Sequence, residues 1–370
     1  MAVIGLYVVA RFAWPLARTR AARFAGGLAV MAATLHYPVI SRFWGSMASP
    51  EVPRVLLLAL GTGLMTVLLL AVLLLVRDVI AVLFTMINLK ALRRRVLDRR
   101  WLPALGAVAL LLAAIGVREA VRVPEVRRIE ITIPGLPAGF DGYRIAHVTD
   151  LHMSRLLQGP WVAKVVERVN ALGADAVMLS GDLVDGEVEW RAADYPPLAA
   201  LSAADGVFAS PGNHEYYSGY ERWKTVFEGL GIRMLENTHA LIERDGDRLV
   251  VAGVADRAAS QEHPLPDLAA ALAGRPEDAS VVLLDHRPGN ARENSRHGVA
   301  LQLSGHTHGG HAWGLERLVA RFNNGFVSGL YPVDGMQLYV GNGAGLWPGF
   351  ALRLGPRSEI AEITLRRAGD

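Results

Sequence analysis

The richest chemistry in the sequence sits in Gly305-His306-Thr307-His308-Gly309-Gly310, two histidines two apart between glycines. Neutral imidazole is the commonest metal-binding side chain. Glycine lets the backbone turn tightly, so two neighbouring rings can converge on one point. Four more clusters of metal-ligating residue types lie upstream: Asp150-Leu151-His152, Gly181-Asp182, Gly212-Asn213-His214-Glu215 and Asp285-His286. Carboxylate, imidazole and amide oxygen without sulfur suit Mn, Fe or Zn. One ion needs about four to six ligands, and Asp150, His152, Asp182, Asn213, His286, His306 and His308 offer seven. The surplus points to two divalent ions sharing one carboxylate. Ions about 3.5–4 Å apart can hold a bridging hydroxide and clamp the attacking and leaving oxygens of a phosphoryl transfer.

Each cluster needs an element to hold it, and each follows a short apolar run: 143–149, 176–180, 206–210, 281–284 and 299–304. Runs of this length, ended by glycine or a polar residue, read as strands. Residues 161–172 carry helical periodicity closed by Gly173, and 198–203 and 220–229 also read as helices. Residues 240–243 and 249–255 read as a hairpin around Asp245-Gly246-Asp247, with further strands at 129–133, 336–340 and 359–365. Alternating strands and helices predict mixed sheets covered by helices. In such sheets, ligand sites gather beyond the carboxyl ends of the strands, where all five clusters fall. Gly341-Asn342-Gly343-Ala344-Gly345 also follows a strand, but no helical pattern comes after it, so it reads as a turn near the site and not as a nucleotide-binding loop.

The first 120 residues differ in kind. The chain is 52 % hydrophobic with a mean hydropathy of +0.27, high for a purely soluble protein, and the excess lies there. Apolar stretches at 2–17, 24–41, 55–76 and 101–117 predict a transmembrane module of about four helices over residues 1–120, followed by a catalytic domain at 122–370. Arg18, Arg20 and Arg23 follow the first stretch, and Lys90, Arg93, Arg94, Arg95, Arg99 and Arg100 follow the third. Basic loops stay in the cytoplasm, so four spans put the domain on the extracytoplasmic side of a cytoplasmic (inner) membrane. The basic run at 90–100 has no interleaved aromatics, which argues against a nucleic-acid surface. The absence of cysteine excludes disulfides and thiolate metal sites.

In order, the motifs Asp150-Leu151-His152, Gly181-Asp182-Leu183-Val184-Asp185, Gly212-Asn213-His214-Glu215, His286 and Gly305-His306-Thr307-His308 resemble the calcineurin-like metallophosphoesterase superfamily. With its membrane module the chain is similar to the YkuE/YaeI-like bacterial enzymes and the transmembrane proteins with a metallophosphoesterase domain. The resemblance covers roughly residues 128–366. It implies an α/β four-layer αββα sandwich. It implies that Asp150, His152 and His308 hold one metal, that Asp182 bridges, and that Asn213, His286 and His306 complete the second. It assigns His214 to the phosphoryl oxygens or the leaving group. Glu215 and Asp185 are candidate acceptors for the outer nitrogens of the metal-binding histidines. His311 stands where relatives often carry glutamine and is a candidate substrate contact; Asp285 stands where serine is more usual. The expected function is hydrolysis of a phosphomonoester, phosphodiester or pyrophosphate, small or lipid-linked, by a membrane-anchored enzyme with two divalent metal ions. The alternative is a membrane transport or sensing protein with a regulatory metal-binding domain.

Overall fold

The computed structural model describes residues 1–260 and 263–368; positions 261, 262, 369 and 370, within the expected catalytic domain, lie outside the described residues. The chain divides into two compact units, Met1–Glu119 with Pro348–Leu352, and Ala120–Trp347 with the residues from 353 onward.

The first unit is helical. Arg20–Phe43, Arg54–Met86 and Lys90–Ala120 are long and apolar enough to cross a membrane, and Ala2–Leu16 is a shorter apolar helix. Thr19 starts the first of the long helices by accepting a hydrogen bond from the Ala22 N–H at 3.1 Å, satisfying one of its unpaired donors. Many apolar side chains point outward, Leu56, Val72, Leu75 and Val79 among them, as suits a hydrocarbon surrounding. The charges inside these helices are brought together. Asp78 accepts from Arg11 Nε at 2.7 Å, Tyr7 Oη at 2.9 Å and Arg77 Nη2 at 2.8 Å. Mutual pairing is how ionic groups are tolerated at membrane depth.

The second unit holds twelve strands among the described residues: β1 (Glu125–Ile133), β2 (Arg144–Val148), β3 (Ala176–Ser180), β4 (Val207–Ser210), β5 (Ile232–Met234), β6 (Thr238–Arg244), β7 (Asp247–Gly253), β8 (Ser280–Leu284), β9 (Leu301–Ser304), β10 (Gly329–Val333), β11 (Met336–Val340) and β12 (Glu359–Arg367). They form two six-stranded sheets, ordered β1-β12-β2-β3-β4-β5 and β10-β11-β9-β8-β7-β6. The layering follows from side-chain alternation. In β3, Ala176 and Met178 join a core with Leu249, Val251, Val282 and Leu301 of the other sheet. Val177 and Leu179 point the other way, onto the helices Gly159–Asn170 and Tyr220–Gly229. In β8, Val282 and Leu284 face the first sheet, while Val281 and Leu283 pack with Ala271 and Ala291 of the short helices Leu268–Ala271 and Ala291–Asn294. Strands buried on both faces read as unbroken apolar runs. The result is the expected four-layer αββα sandwich.

The hairpin forms as expected, with β6 and β7 antiparallel about Asp245 and Gly246. One helix differs: of 198–203, residues 198–200 close a 3₁₀ segment at Pro196–Ala200, and 201–203 are not helical. β2, β3 and β4 run parallel, as do β7, β8 and β9. Parallel strands end on one side, so the turns after them share one edge.

Candidate metal centre

The turns at that edge bring the charged side chains together. Asp150 and His152 follow β2, Asp182 follows β3, Asn213 and His214 open a short helix (Asn213–Tyr217) after β4, His286 follows β8, and His306 and His308 follow β9. Ligand-bearing atoms of Asp150, His152 and His308 lie within 4.8 Å of one another, as do those of Asp182, His286 and His306. His308 Nε2 lies 3.5 Å from Asp150 Oδ1, and His286 Nε2 lies 3.1 Å from Asp182 Oδ2. His152 Nε2 lies between the groups, 3.8 Å from Asp150 Oδ1 and 3.7 Å from Asp182 Oδ2.

Such convergence costs backbone strain. Asp150, His152, Asp182, His306 and His308 all take left-handed φ, between 48° and 69°. Each such residue costs of order 1 kcal/mol or more and persists only where its surroundings over-determine it. The determinants are visible. Thr149 Oγ1 donates to Asp150 Oδ2 at 2.9 Å, and the His306 N–H donates to the same oxygen at 3.0 Å. The His214 N–H donates to Asp182 Oδ1 at 2.8 Å. Glu215 accepts from the N–H groups of Asp182, Leu183 and Gly212 at 2.9, 2.5 and 2.7 Å. Glu215 therefore ties two turns together through their backbones; the histidine acceptor is Asp185, whose Oδ1 lies 3.2 Å from His152 Nδ1 and 2.5 Å from His214 Nδ1. The expectation of Glu215 as a second such acceptor gives way because its two oxygens are taken by amides.

The electrostatics separate the groups. Burial opposes charge on Asp182, but the His286 and His214 imidazoles outweigh it and hold the carboxyl well below its ordinary value. Asp150 is likewise buried, and His308 and His152 hold it down. Burial pushes His308 well below the ordinary imidazole value, and takes His306 to about 4 with help from the His286 and Arg287 charges. His286, also buried, is carried up to about 10 by the Asp182 carboxylate. Ionised carboxylates beside the neutral imidazoles of His306 and His308 are in the protonation states that bind cations, and His286 must give up its proton to join them.

The donor set fits divalent cations. Two ligands held 2.0–2.2 Å from one ion are roughly 3–3.6 Å apart, close to the separations above. His152 Nε2 and Asn213 Oδ1 are buried with no hydrogen-bond partner, a costly condition for polar atoms that lack another use.

The remaining candidates lie nearby in different roles. The His311 ring centroid is 5.1 Å from that of His308. Asp285 accepts from Asn294 Nδ2 at 3.0 Å and the Arg287 N–H at 3.2 Å, and burial pushes it to about 6. The Tyr217 and Trp347 rings stand 5.4 and 6.0 Å from the His214 ring. The turn at 341–345 is wedged into the site: a Cβ on Gly343, where φ is 80°, would lie 2.8 Å from Asp150 Cβ and 3.2 Å from His308 Nδ1.

Two cations escaped the sequence reading. Arg353 is 2 % exposed and donates to the carbonyls of His308, Asn342, Gly343 and Gly345 at 3.3, 2.7, 3.1 and 3.0 Å, pinning the glycine-rich turn to the histidine turn. Arg287, next to His286, is forked onto Asp256 and reaches His306. The one signal for Arg353 was a lone charge inside the apolar run Ala351-Leu352-Arg353-Leu354.

Comparison with known proteins agrees with this geometry. Residues 143–310 match the family model described as calcineurin-like phosphoesterase. A transmembrane protein with metallophosphoesterase domain from Danio rerio is 32 % identical over 272 residues, covering 70 % of this chain and 62 % of that protein. An uncharacterised metallophosphoesterase of Helicobacter pylori is 35 % identical over 253 residues, covering 68 % and 66 %. Another, from Campylobacter jejuni, is 30 % identical over 267 residues, covering 71 % and 69 %. The chain thus spans about two thirds of the length of these relatives. The ordered motifs, the two-sheet sandwich and these matches place the chain in the calcineurin-like phosphoesterase family.

Proposed function

We propose that the chain is a membrane-anchored, metal-dependent phosphoesterase carrying two divalent ions, Mn, Fe or Zn. The observation that carries this is the buried, unpartnered His152 Nε2 within 4 Å of both Asp150 and Asp182. Asp150, His152 and His308 would hold one ion, Asn213, His286 and His306 the other, and Asp182 would serve both. Bound there, the ions would neutralise phosphoryl charge and lower the pKa of a water. The protein's own residues do the rest. Asp185 occupies His214 Nδ1, which orients the ring and leaves Nε2 to hand a proton to the leaving oxygen. Burial opposes a proton on His214, but Asp182 and Asp185 raise its pKa above the ordinary value and so favour the donor form. Tyr217 and Trp347 flank that ring.

The three long apolar helices would tether the hydrolase to the cytoplasmic membrane. The basic residues from Lys90 to Arg100 open the last of them, so their retention in the cytoplasm would put the domain after residue 120 outside. A tethered phosphoesterase suits a phosphorylated small molecule or a lipid-linked phosphate.

Reconstitution with Mn, Zn or Fe and a screen of monoesters, diesters and pyrophosphates tests the reading. Asp182→Asn and His214→Ala should abolish hydrolysis while the fold is kept. Full activity of metal-free Asp182→Asn refutes it. The paired charges at Asp78 favour the transport or sensing alternative. A hydrolase that loses nothing when Asp78→Asn is introduced separates anchor from effector.

A further inference from the structure

We infer that Arg287, clamped by Asp256, selects substrates whose phosphoryl group offers an oxygen beyond the two non-bridging ones of a diester: a phosphomonoester, or a phosphate next to the one attacked in a pyrophosphate. The inference rests on the reading above and narrows its substrate.

The argument begins with the strand edge. Asp256 follows β7, Arg287 follows β8 and His306 follows β9, so neighbouring parallel strands deliver the three in a row. Asp256 is 1 % exposed and takes Arg287 in a fork, Nε to Oδ2 at 2.7 Å and Nη2 to Oδ1 at 3.1 Å. Asp256 Oδ1 is itself fixed by the Ala258 N–H at 2.7 Å. Two of the three guanidinium nitrogens are thereby spent. The third, Nη1, points to the cluster of Asp182, His286 and His306, 3.0 Å from His306 Nε2. Nη1 carries two hydrogens, and His306 can take only one. The side chain is 27 % exposed, so Arg287 is not sealed in the core.

A fixed cation beside a pocket for two more cations needs an anion to balance it. Asp256 balances the inner edge. The outer edge is left for ligand, and a pre-oriented guanidinium is well shaped for phosphate oxygens. In a diester the two non-bridging oxygens would face the two ions, which would leave Arg287 nothing further to bind. A monoester or a pyrophosphate brings a further charged oxygen.

The test uses the full chain loaded with Mn, as wild type, Arg287→Gln and Arg287→Lys, with thermal melting to check the fold. Metal stoichiometry, inhibition by inorganic phosphate, and kcat and KM for p-nitrophenyl phosphate, pyrophosphate and bis-p-nitrophenyl phosphate are measured. For Arg287→Gln we expect metal content to hold and phosphate inhibition to weaken about 10- to 100-fold, the range for a lost charged hydrogen bond. The kcat/KM ratio of monoester to diester should fall by a similar factor, chiefly through KM. Arg287→Lys keeps the charge without the fork and should recover part of the loss. A larger loss on pyrophosphate than on p-nitrophenyl phosphate assigns the oxygen to a neighbouring phosphate; the reverse assigns it to the attacked group. Unchanged phosphate inhibition, or equal losses on all substrates together with lost metal, overturns the inference and makes Arg287 only a support for His306. A wild-type protein that hydrolyses none of the substrates brings down the broader reading as well, which the loaded, active wild type distinguishes.

Discussion

Asp185→Asn is the most informative single perturbation, because one carboxylate oxygen serves two imidazoles. Asp185 Oδ1 sits 3.2 Å from His152 Nδ1 and 2.5 Å from His214 Nδ1, with all three side chains buried or nearly so. Asparagine keeps the shape but offers one acceptor oxygen and a donor NH₂. It can satisfy one of the two ring N–H groups and turns a donor toward the other. The stranded buried donor costs about 1–3 kcal/mol, a factor of roughly 5 to 150. The same range follows from the 10- to 100-fold typically lost when the outer partner of a metal-binding histidine is removed. If His152 loses its partner, affinity for the ion at Asp150 falls by that factor. If His214 loses it, the ring titrates lower, so the alkaline limb of kcat against pH moves toward acid. Metal competition with a chromogenic chelator reads the first effect, and a pH profile at saturating metal reads the second. An Asp185→Asn protein with metal affinity within twofold of wild type and an unmoved alkaline limb would refute the reasoning.

Three further outcomes are expected. Gly343→Ala adds a Cβ at 2.8 Å from Asp150 Cβ in a left-handed backbone, so metal affinity should fall and urea unfolding should come earlier by about 1–3 kcal/mol. Arg353→Met leaves four buried carbonyls without their donor and should cost roughly 3–5 kcal/mol in the same assay; a loss below 1 kcal/mol would show that water replaces the guanidinium. Burial pushes His147 down from 6.5 to about 4, so between those values the unfolded chain binds the proton more readily. Its stabilisation is complete above pH 6.5 and is lost as the pH falls toward 4. At pH 5 the loss is about 2 kcal/mol. His147→Gln should remove about that much of the difference in unfolding free energy between pH 7.5 and pH 5.

The strands and the edge that carries the site were legible because parallel strands buried on both faces leave unbroken apolar runs such as 176–180 and 281–284. Polar residues placed directly after such runs can only project beyond the sheet. What the spacing did not carry is how the turns are held. Glu215 looked like a partner for histidine, yet it serves three amides, and no sequence pattern separates those uses. The left-handed φ of Asp150, His152 and Asp182 runs against the general preference of L-residues, though Asp and His tolerate it better than most, and is held by tertiary contacts. Arg353 and the Asp256–Arg287 pair bind groups distant in sequence, where periodicity has no purchase.

The position of β12 has a consequence for how the domain comes into being. It is an interior strand, parallel to β1 and antiparallel to β2, so Glu125 lies against Glu359 across more than two hundred residues. Closing so long a loop before any reward from pairing makes folding slow. During synthesis, β1 and β2 must wait with bare edges until the final strand of the sandwich leaves the ribosome. Nascent chains halted before residue 359 are therefore the ones most exposed to edge-to-edge aggregation.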